Sequence, residues 1–208
     1  MKNFNGKKIL ITAGPTREYL DPVRFLSNAS SGIMGYALAR EARKKGARVT
    51  LVSGPVNVKP PDGVRVISVI SAREMKRAVD RLFPRMDYVV CAAAVSDYRP
   101  AGISKTKLKK SSNPNFLKLM PNPDILKTLG KRKKNQKLIG FALETNNLIA
   151  NAKKKLKTKN LDLIIANHPH AIEQTKAKIY IIGRKIAKLP PSPKKKLAQK
   201  ILTIIADI

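Results

Sequence analysis

The stretch ILITAGPTREYLDPVRFLSNASSGIMG, Ile9 to Gly35, decides how the chain is read. It opens as KILITAG, a short apolar run ending at Gly14, which predicts a buried strand. It closes on small residues ahead of MGYALAREARKKG, where apolar residues recur at helical spacing and Gly46 stops the helix after a basic last turn. Between strand and helix lies a long polar insert, PTREYLDPVRFLSN, which neither familiar phosphate loop contains. A dinucleotide fingerprint needs G-x-G-x-x-G directly after the strand, and here Gly14 is followed by Pro15, Thr16 and Arg17. The next strand, RVTLVSG, ends on Ser53 and Gly54 instead of an acid for ribose hydroxyls. No G-x-x-x-x-G-K followed by Ser or Thr occurs either, which disfavours an ordinary P-loop phosphotransferase. NAD-linked hydride transfer is disfavoured on the same grounds, while an NADP-linked reductase stays open as an alternative.

Working outward, strand and helix keep alternating. VRVISV reads as a strand, and SAREMKRAVDRLF as a helix opened by a capping box, Ser71 with Glu74. DYVVCAAAVSDY is a buried strand running into a polar turn. Residues 99–115 carry Pro, Gly, Ser and Lys without a period and read as a long exposed loop, functional or disordered. FLKLM reads as a strand and NPDILKTLGKRKK as a helix with Asn122 as cap and Pro123 in its first turn. KLIGFALET (strand), NNLIANAKKKLKTK (helix) and LDLIIANH (strand) follow. AKIYIIG and KIAKLP form a hairpin-like pair, and SPKKKLAQKILTIIADI is a closing amphipathic helix. This alternation predicts an α/β fold in three layers, a largely parallel sheet with helices on both faces, with residues 1–208 as one domain. Ligands of such sheets bind at the carboxyl ends of the strands, where Gly14, Ser53, Asp97 and Glu144 fall.

Composition narrows the function classes. With 208 residues and 43% hydrophobic content the chain can bury one sizeable core. It has no apolar run long enough to span a bilayer, and MKNFNGKK leads into the first strand without the apolar region of a signal peptide. Its one cysteine, Cys91, cannot form an internal disulfide, which fits the cytoplasm. Lys and Arg total 43 against 13 Asp and Glu, a net charge of +30 that attracts polyanions. A basic nucleic-acid-binding protein is therefore an alternative. Few aromatic residues and no reader motif count against it, and reduce nucleic acid to a non-specific partner.

Few side chains suit covalent chemistry. One cysteine and two histidines cannot make a usual zinc set. Cys91 sits mid-strand in VVCAAAV and reads as a small buried residue, not a nucleophile, and His168 and His170 as loop residues. NASSGIMG is more pointed: Asn28, Ser30, Ser31 and Gly32 precede a helix, whose exposed N–H groups bind anions. Lys105, Lys107, Lys109 and Lys110 of the loop would neutralise a triphosphate, or are simply a solvated charge run.

Six ordered stretches then resemble one family: the opening segment, AAAVSDYRP, KTKLKK, NPDIL, GFALETNN and KNLDLIIAN, spanning roughly residues 6–168. They are similar to phosphopantothenate–cysteine ligases. The resemblance implies a Rossmann-like sheet with additional C-terminal strands, a homodimer, and a stand-alone form without the decarboxylase domain often fused ahead of it. It implies that 4′-phosphopantothenate and L-cysteine are joined in coenzyme A synthesis. The carboxylate would be activated with CTP and Mg²⁺ as an acyl-cytidylate with release of pyrophosphate, and the cysteine amine would then expel CMP. ATP replaces CTP in eukaryotic members, and pocket shape around Cys91–Ala93 and Phe141 would decide the base. By similarity Lys107 contacts nucleotide phosphate, and Asn28 carries the intermediate forward as a polar clamp on acyl or phosphate oxygens. Gly14, Cys91, Ala92, Ala93, Asp97, Pro123, Asp124, Ile125, Leu126, Phe141, Lys155 and Lys159 match the nucleotide site; Asn28, Ser30, Ser31 and Gly32 match the substrate and phosphate loop. Metal ligands are not assigned. The resemblance departs at Ile33, where lysine is common, and after Asn167.

Overall fold

The computed structural model describes residues 3–110, 116–168 and 176–208. Residues 111–115 of the lysine-rich loop, and His170, lie outside the described residues. An eight-stranded sheet has the order β12-β11-β10-β9-β6-β1-β4-β5. Its members are β1 (Lys8–Ala13), β4 (Arg48–Ser53), β5 (Arg65–Ser68), β6 (Tyr88–Cys91), β9 (Lys137–Leu143), β10 (Leu163–Asn167), β11 (Lys176–Ile182) and β12 (Ile186–Pro193). β5 through β10 in that order run parallel, and β11 and β12 close one edge as the antiparallel pair expected from AKIYIIG and KIAKLP. Among the described residues no helix is long and apolar enough to cross a membrane.

The strands are apolar on both faces because both faces are covered. Ile9, Ile11 and Ala13 of β1 face one core with α1 (Ile33–Lys44) and α5 (Lys194–Ile205). Leu10 between them faces a second core with α2 (Ala72–Leu82), α3 (Ile125–Arg132) and α4 (Leu148–Thr158). Val89/Val90, Leu138/Ile139 and Ile164/Ile165 split in the same way, the period-two signature of a sheet between two helical layers. The three-layer, mostly parallel fold is therefore the one expected. The capping box of α2 also forms: Ser71 Oγ accepts from Glu74 N at 3.3 Å and donates to Glu74 Oε1 at 3.1 Å. The returning carboxylate takes its main-chain N–H from Ile70, at 2.8 Å, instead of from Ser71 itself.

Two local expectations are corrected, and the polar insert takes a definite form. β2 (Arg17–Tyr19) and β3 (Phe25–Ser27) form an antiparallel hairpin outside the main sheet. Its turn closes on Asp21, and Arg17 stacks over Phe25, 4.5 Å from the ring centroid. A buried Glu18 fastens the hairpin to α2 by accepting from Ala72 N at 2.8 Å. The strand expected at FLKLM lies further on, as β8 (Leu119–Pro121) paired with β7 (Tyr98–Pro100); Phe116 faces solvent and has no core to enter. α3 is capped by Asp124, which accepts from Lys127 N at 2.9 Å, not by Asn122. Asn122 instead donates to Ser96 O at 2.9 Å, tying β8 to the turn after β6.

Candidate functional site

A cleft opens where β1, β6, β9 and β10 end, the place such sheets offer a ligand. It has two adjoining lobes, of about 180 and 510 Å³, which share walls at Ala29, Ala93, Ala94 and Phe141–Leu143.

The smaller lobe is built on the start of α1. Ser30, Ser31, Gly32 and Ala92 line it. No side chain caps α1 and its first turn holds no acid, so its leading N–H groups keep their capacity for an anion. The serines are thus not caps; Ser30 Oγ only accepts from Gly32 N at 3.4 Å. Gly32 has φ of 72°, and a Cβ there would lie 2.7 Å from Val56 Cγ1 and 3.3 Å from Gly14 Cα. Gly14, with φ of 74°, meets the same valine carbon at the same distance. The insert therefore loops out as a hairpin and returns the helix start onto the glycine turn. Gly14 supports this contact from beneath and lies outside the lining of both lobes. Ile33, 43% exposed, opens α1 and lines the smaller lobe. Lys194, the first residue of α5, lines the same lobe, and burial pushes its ammonium below the ordinary lysine range. Sequence reasoning missed it, because nothing in PKKKLA says which lysine turns inward.

The larger lobe brings together Asn28, Cys91, Ala93, Asp97, the 123–126 turn, Phe141, Lys155 and Lys159. Asn28 leaves β3 beside the exit of β6, where Thr16 already stitches the two segments: its Oγ1 accepts from Ser96 N at 3.0 Å. Asn28 Nδ2 donates to Ala94 O (3.3 Å) and Val95 O (3.0 Å). These two contacts hold the amide against the turn after β6, at the wall of the larger lobe.

Lys159 Nζ lies 2.8 Å from Asp124 Oδ2, and Lys155 Nζ 2.6 Å from Glu144 Oε1. The helix spacing of four puts both lysines on the cleft face of α4 and its C-terminal end. Burial pushes the Asp124 carboxyl up, but Lys159 and the Lys127 N–H outweigh it and hold the group below the ordinary aspartate range. His168 stands outside the cleft; its Nδ1 lies 3.0 Å from the Glu144 carbonyl, which only accepts, so Nδ1 carries the hydrogen. Lys107 is exposed on the loop and does not line either lobe.

Burial pushes the Cys91 thiol up to about 12, with Asp124 adding to the shift and Lys159 and Thr12 opposing it. Such a thiol carries almost no thiolate near neutrality and is no nucleophile. We expect iodoacetamide at pH 8 to label Cys91 in the native protein more than about 100-fold slower than in urea-unfolded protein. Equal rates would show an activated thiol instead.

The fold and cleft define a Rossmann-like α/β domain that receives its ligand across the ends of parallel strands. The chain belongs to the DNA/pantothenate metabolism flavoprotein C-terminal domain family, which matches residues 4–208. It is 45% identical over 206 residues to the coenzyme A biosynthesis bifunctional protein CoaBC of Borreliella burgdorferi, covering 97% of this chain and 53% of that protein. It thus spans about half the length of that curated relative. Its structure is similar to the crystal structure of the C-terminal domain of a CoaBC protein, with a TM-score of 0.87 and 42% identity over 100% of this chain and 97% of that one. A Cab2 mutant in complex with phosphopantothenate-cysteine shares the fold, with a TM-score of 0.80 at 16% identity, over 98% of this chain and 87% of that one.

Proposed function

We propose that this domain joins 4′-phosphopantothenate to L-cysteine in the cytoplasm, with CTP in preference to ATP, through an acyl-nucleotidylate. The observation that carries the reading is the convergence of Asn28, held on the Ala94 and Val95 carbonyls, with Lys155 and Lys159 in one cleft whose cysteine, Cys91, is not activated. Attack of a carboxylate on an α-phosphate sets anion against anion. It needs charge neutralisation and alignment more than a protein nucleophile.

In this reading Lys155 and Lys159 exchange Glu144 and Asp124 for nucleotide phosphates, and the 91–93 and 123–126 segments with Phe141 enclose the nucleoside. The small lobe, with Ser30, Ser31 and Gly32 at the start of α1, holds an anionic group of the acyl substrate. Lys107 adds positive charge on the phosphates as pyrophosphate leaves. Asn28 Oδ1 accepts an N–H from the cysteine amine and aims its lone pair at the acyl carbon; the amide bond forms as the acyl–phosphate bond breaks, the nucleoside monophosphate departs and the amine releases one proton to solvent. Among the described residues no three acidic, histidine or cysteine side chains converge as a metal cage. Mg²⁺ would arrive with the triphosphate and neutralise part of its charge, and Asp97, which lines the larger lobe, is the carboxylate that would help to hold it.

A homodimer belongs to the same proposal. Val23 and Phe25 on one ribbon, Tyr98, Leu119 and Met120 on the neighbouring one, and Ile103 beside them are exposed apolar side chains. A cluster of that kind is rare on a monomer and suits a second copy. Sedimentation measures this directly. The activity is tested by supplying phosphopantothenate, cysteine, Mg²⁺ and either CTP or ATP and following pyrophosphate. Release faster with CTP is expected, and no release with either nucleotide would sink the reading.

A further inference from the structure

Asp21 is a fully buried carboxylate between two segments that are themselves exposed, the β2–β3 turn and residues 105–110. A charge in that position persists only if it is satisfied. Its two oxygens divide the work. Oδ1 accepts from Val23 N and Arg24 N, both at 2.8 Å, and closes the turn. Oδ2 accepts from Leu108 N at 3.1 Å, across 87 residues of sequence. Arg24, 3.6 Å from Oδ2, donates from Nη2 to Leu108 O at 2.7 Å. The Leu108 residue is thus gripped at its N–H and at its carbonyl, and Ser104 N donates to Leu20 O at 2.8 Å as a second tie. Lys107 and Lys109 flank the gripped residue. The same hairpin delivers Asn28 to the cleft at its other end.

We propose that Asp21 is a positioning residue: it fastens the lysine-bearing segment at Leu108 to the β2–β3 hairpin, and so sets where Lys107 works relative to Asn28. The task of Lys107 rests on the ligase reading above; the fastening rests on the contacts alone. Without it, four lysines within residues 105–110 repel one another and spread over many positions. Burial raises the Asp21 carboxyl, but the three N–H groups and Arg24 more than offset this and keep it ionised.

The divided work makes Asp21→Asn a selective probe. Asparagine has one acceptor oxygen. If it keeps the turn, its NH₂ faces the Leu108 N–H, donor against donor, and the loop is released while the hairpin stays. Leu108→Pro removes the same bond from the loop side, at an exposed position, should Asp21→Asn fail to fold. Limited trypsin digestion of either variant should cut after Lys105, Lys109 or Lys110 about fivefold faster than in the parent chain. Pyrophosphate release should fall about tenfold in kcat, with KM for cysteine unchanged. Adding Lys107→Gln to Asp21→Asn should cost nothing beyond Lys107→Gln alone, because the two act through one group. Unchanged digestion would overturn the fastening. Faster digestion with unchanged turnover, or additive losses in the double variant, would overturn the link to Lys107. If the parent chain releases no pyrophosphate, the ligase reading falls and takes that link with it, while digestion still decides the fastening.

Discussion

Asn28→Ala is expected to accumulate the acyl-nucleotidylate, and Lys107→Gln to fail to form it. The amide of Asn28 is locked by the Ala94 and Val95 carbonyls, so alanine removes an acceptor and leaves the cationic side of the cleft intact. Activation then proceeds while the amine lacks its guide. Misplacing an attacking group by about 1 Å costs on the order of 100-fold, and a loss of that size in amide formation is the expected result. Asn28→Asp should do no better, since a carboxylate cannot donate to either carbonyl and would be driven from its seat. Rapid quench with nucleotide labelled at the α-phosphate separates the species. Equal levels of intermediate in Asn28→Ala and Lys107→Gln would refute the division of roles.

Gly54→Ala should be the most damaging change of one methyl group. A Cβ at Gly54 would lie 1.7 Å from Pro15 O and 2.8 Å from Pro15 C, both main-chain atoms. The turn after β1 cannot retreat, because Pro15 bridges to Ala94 and Thr16 N donates to Ala94 O at 3.3 Å. Relief requires moving the ends of β1, β4 and β6 together, and overpacking of that kind costs about 3 kcal/mol or more. Urea unfolding reads the loss directly. Gly102→Ala, where a Cβ meets nothing within 4 Å, is the matched control and should stay within about 0.5 kcal/mol of the parent. A Gly54→Ala midpoint equal to that of the control would show that the Pro15 turn is softer than its contacts indicate.

Most of the sheet was legible in the sequence because its signals are local and repeated: apolar runs such as ILIT and LDLII, helices with period 3.6, and the Ser71–Glu74 start of α2. The β2–β3 hairpin was not. Its strands have three residues each, too short for any alternation to register. What holds it is a carboxylate contacting its own turn and a loop far along the chain. Asn122 and Asp124 are both good cap residues, and only the proximity of Ser96 decides which of them caps. The pairing of Gly14 with Gly32 over Val56 is likewise a tertiary contact, invisible as spacing. For the site, motif resemblance carried what local physics could not, above all the convergence of Asn28 with Lys155 and Lys159. It carried least where the motifs end, and there Lys194 entered the cleft unannounced.

The ion pairs of Lys155 with Glu144 and of Lys159 with Asp124 set a condition on any anion that is to pair with these lysines: it must first displace a carboxylate. A surface at +30 gathers every anion near the protein, from chloride upward. The cleft lysines are already occupied by carboxylates, so a monovalent anion entering there exchanges one ion pair for another of no greater strength. A triphosphate, the co-substrate of the proposed reaction, would meet both lysines at once with several oxygens, an advantage that a single charge lacks.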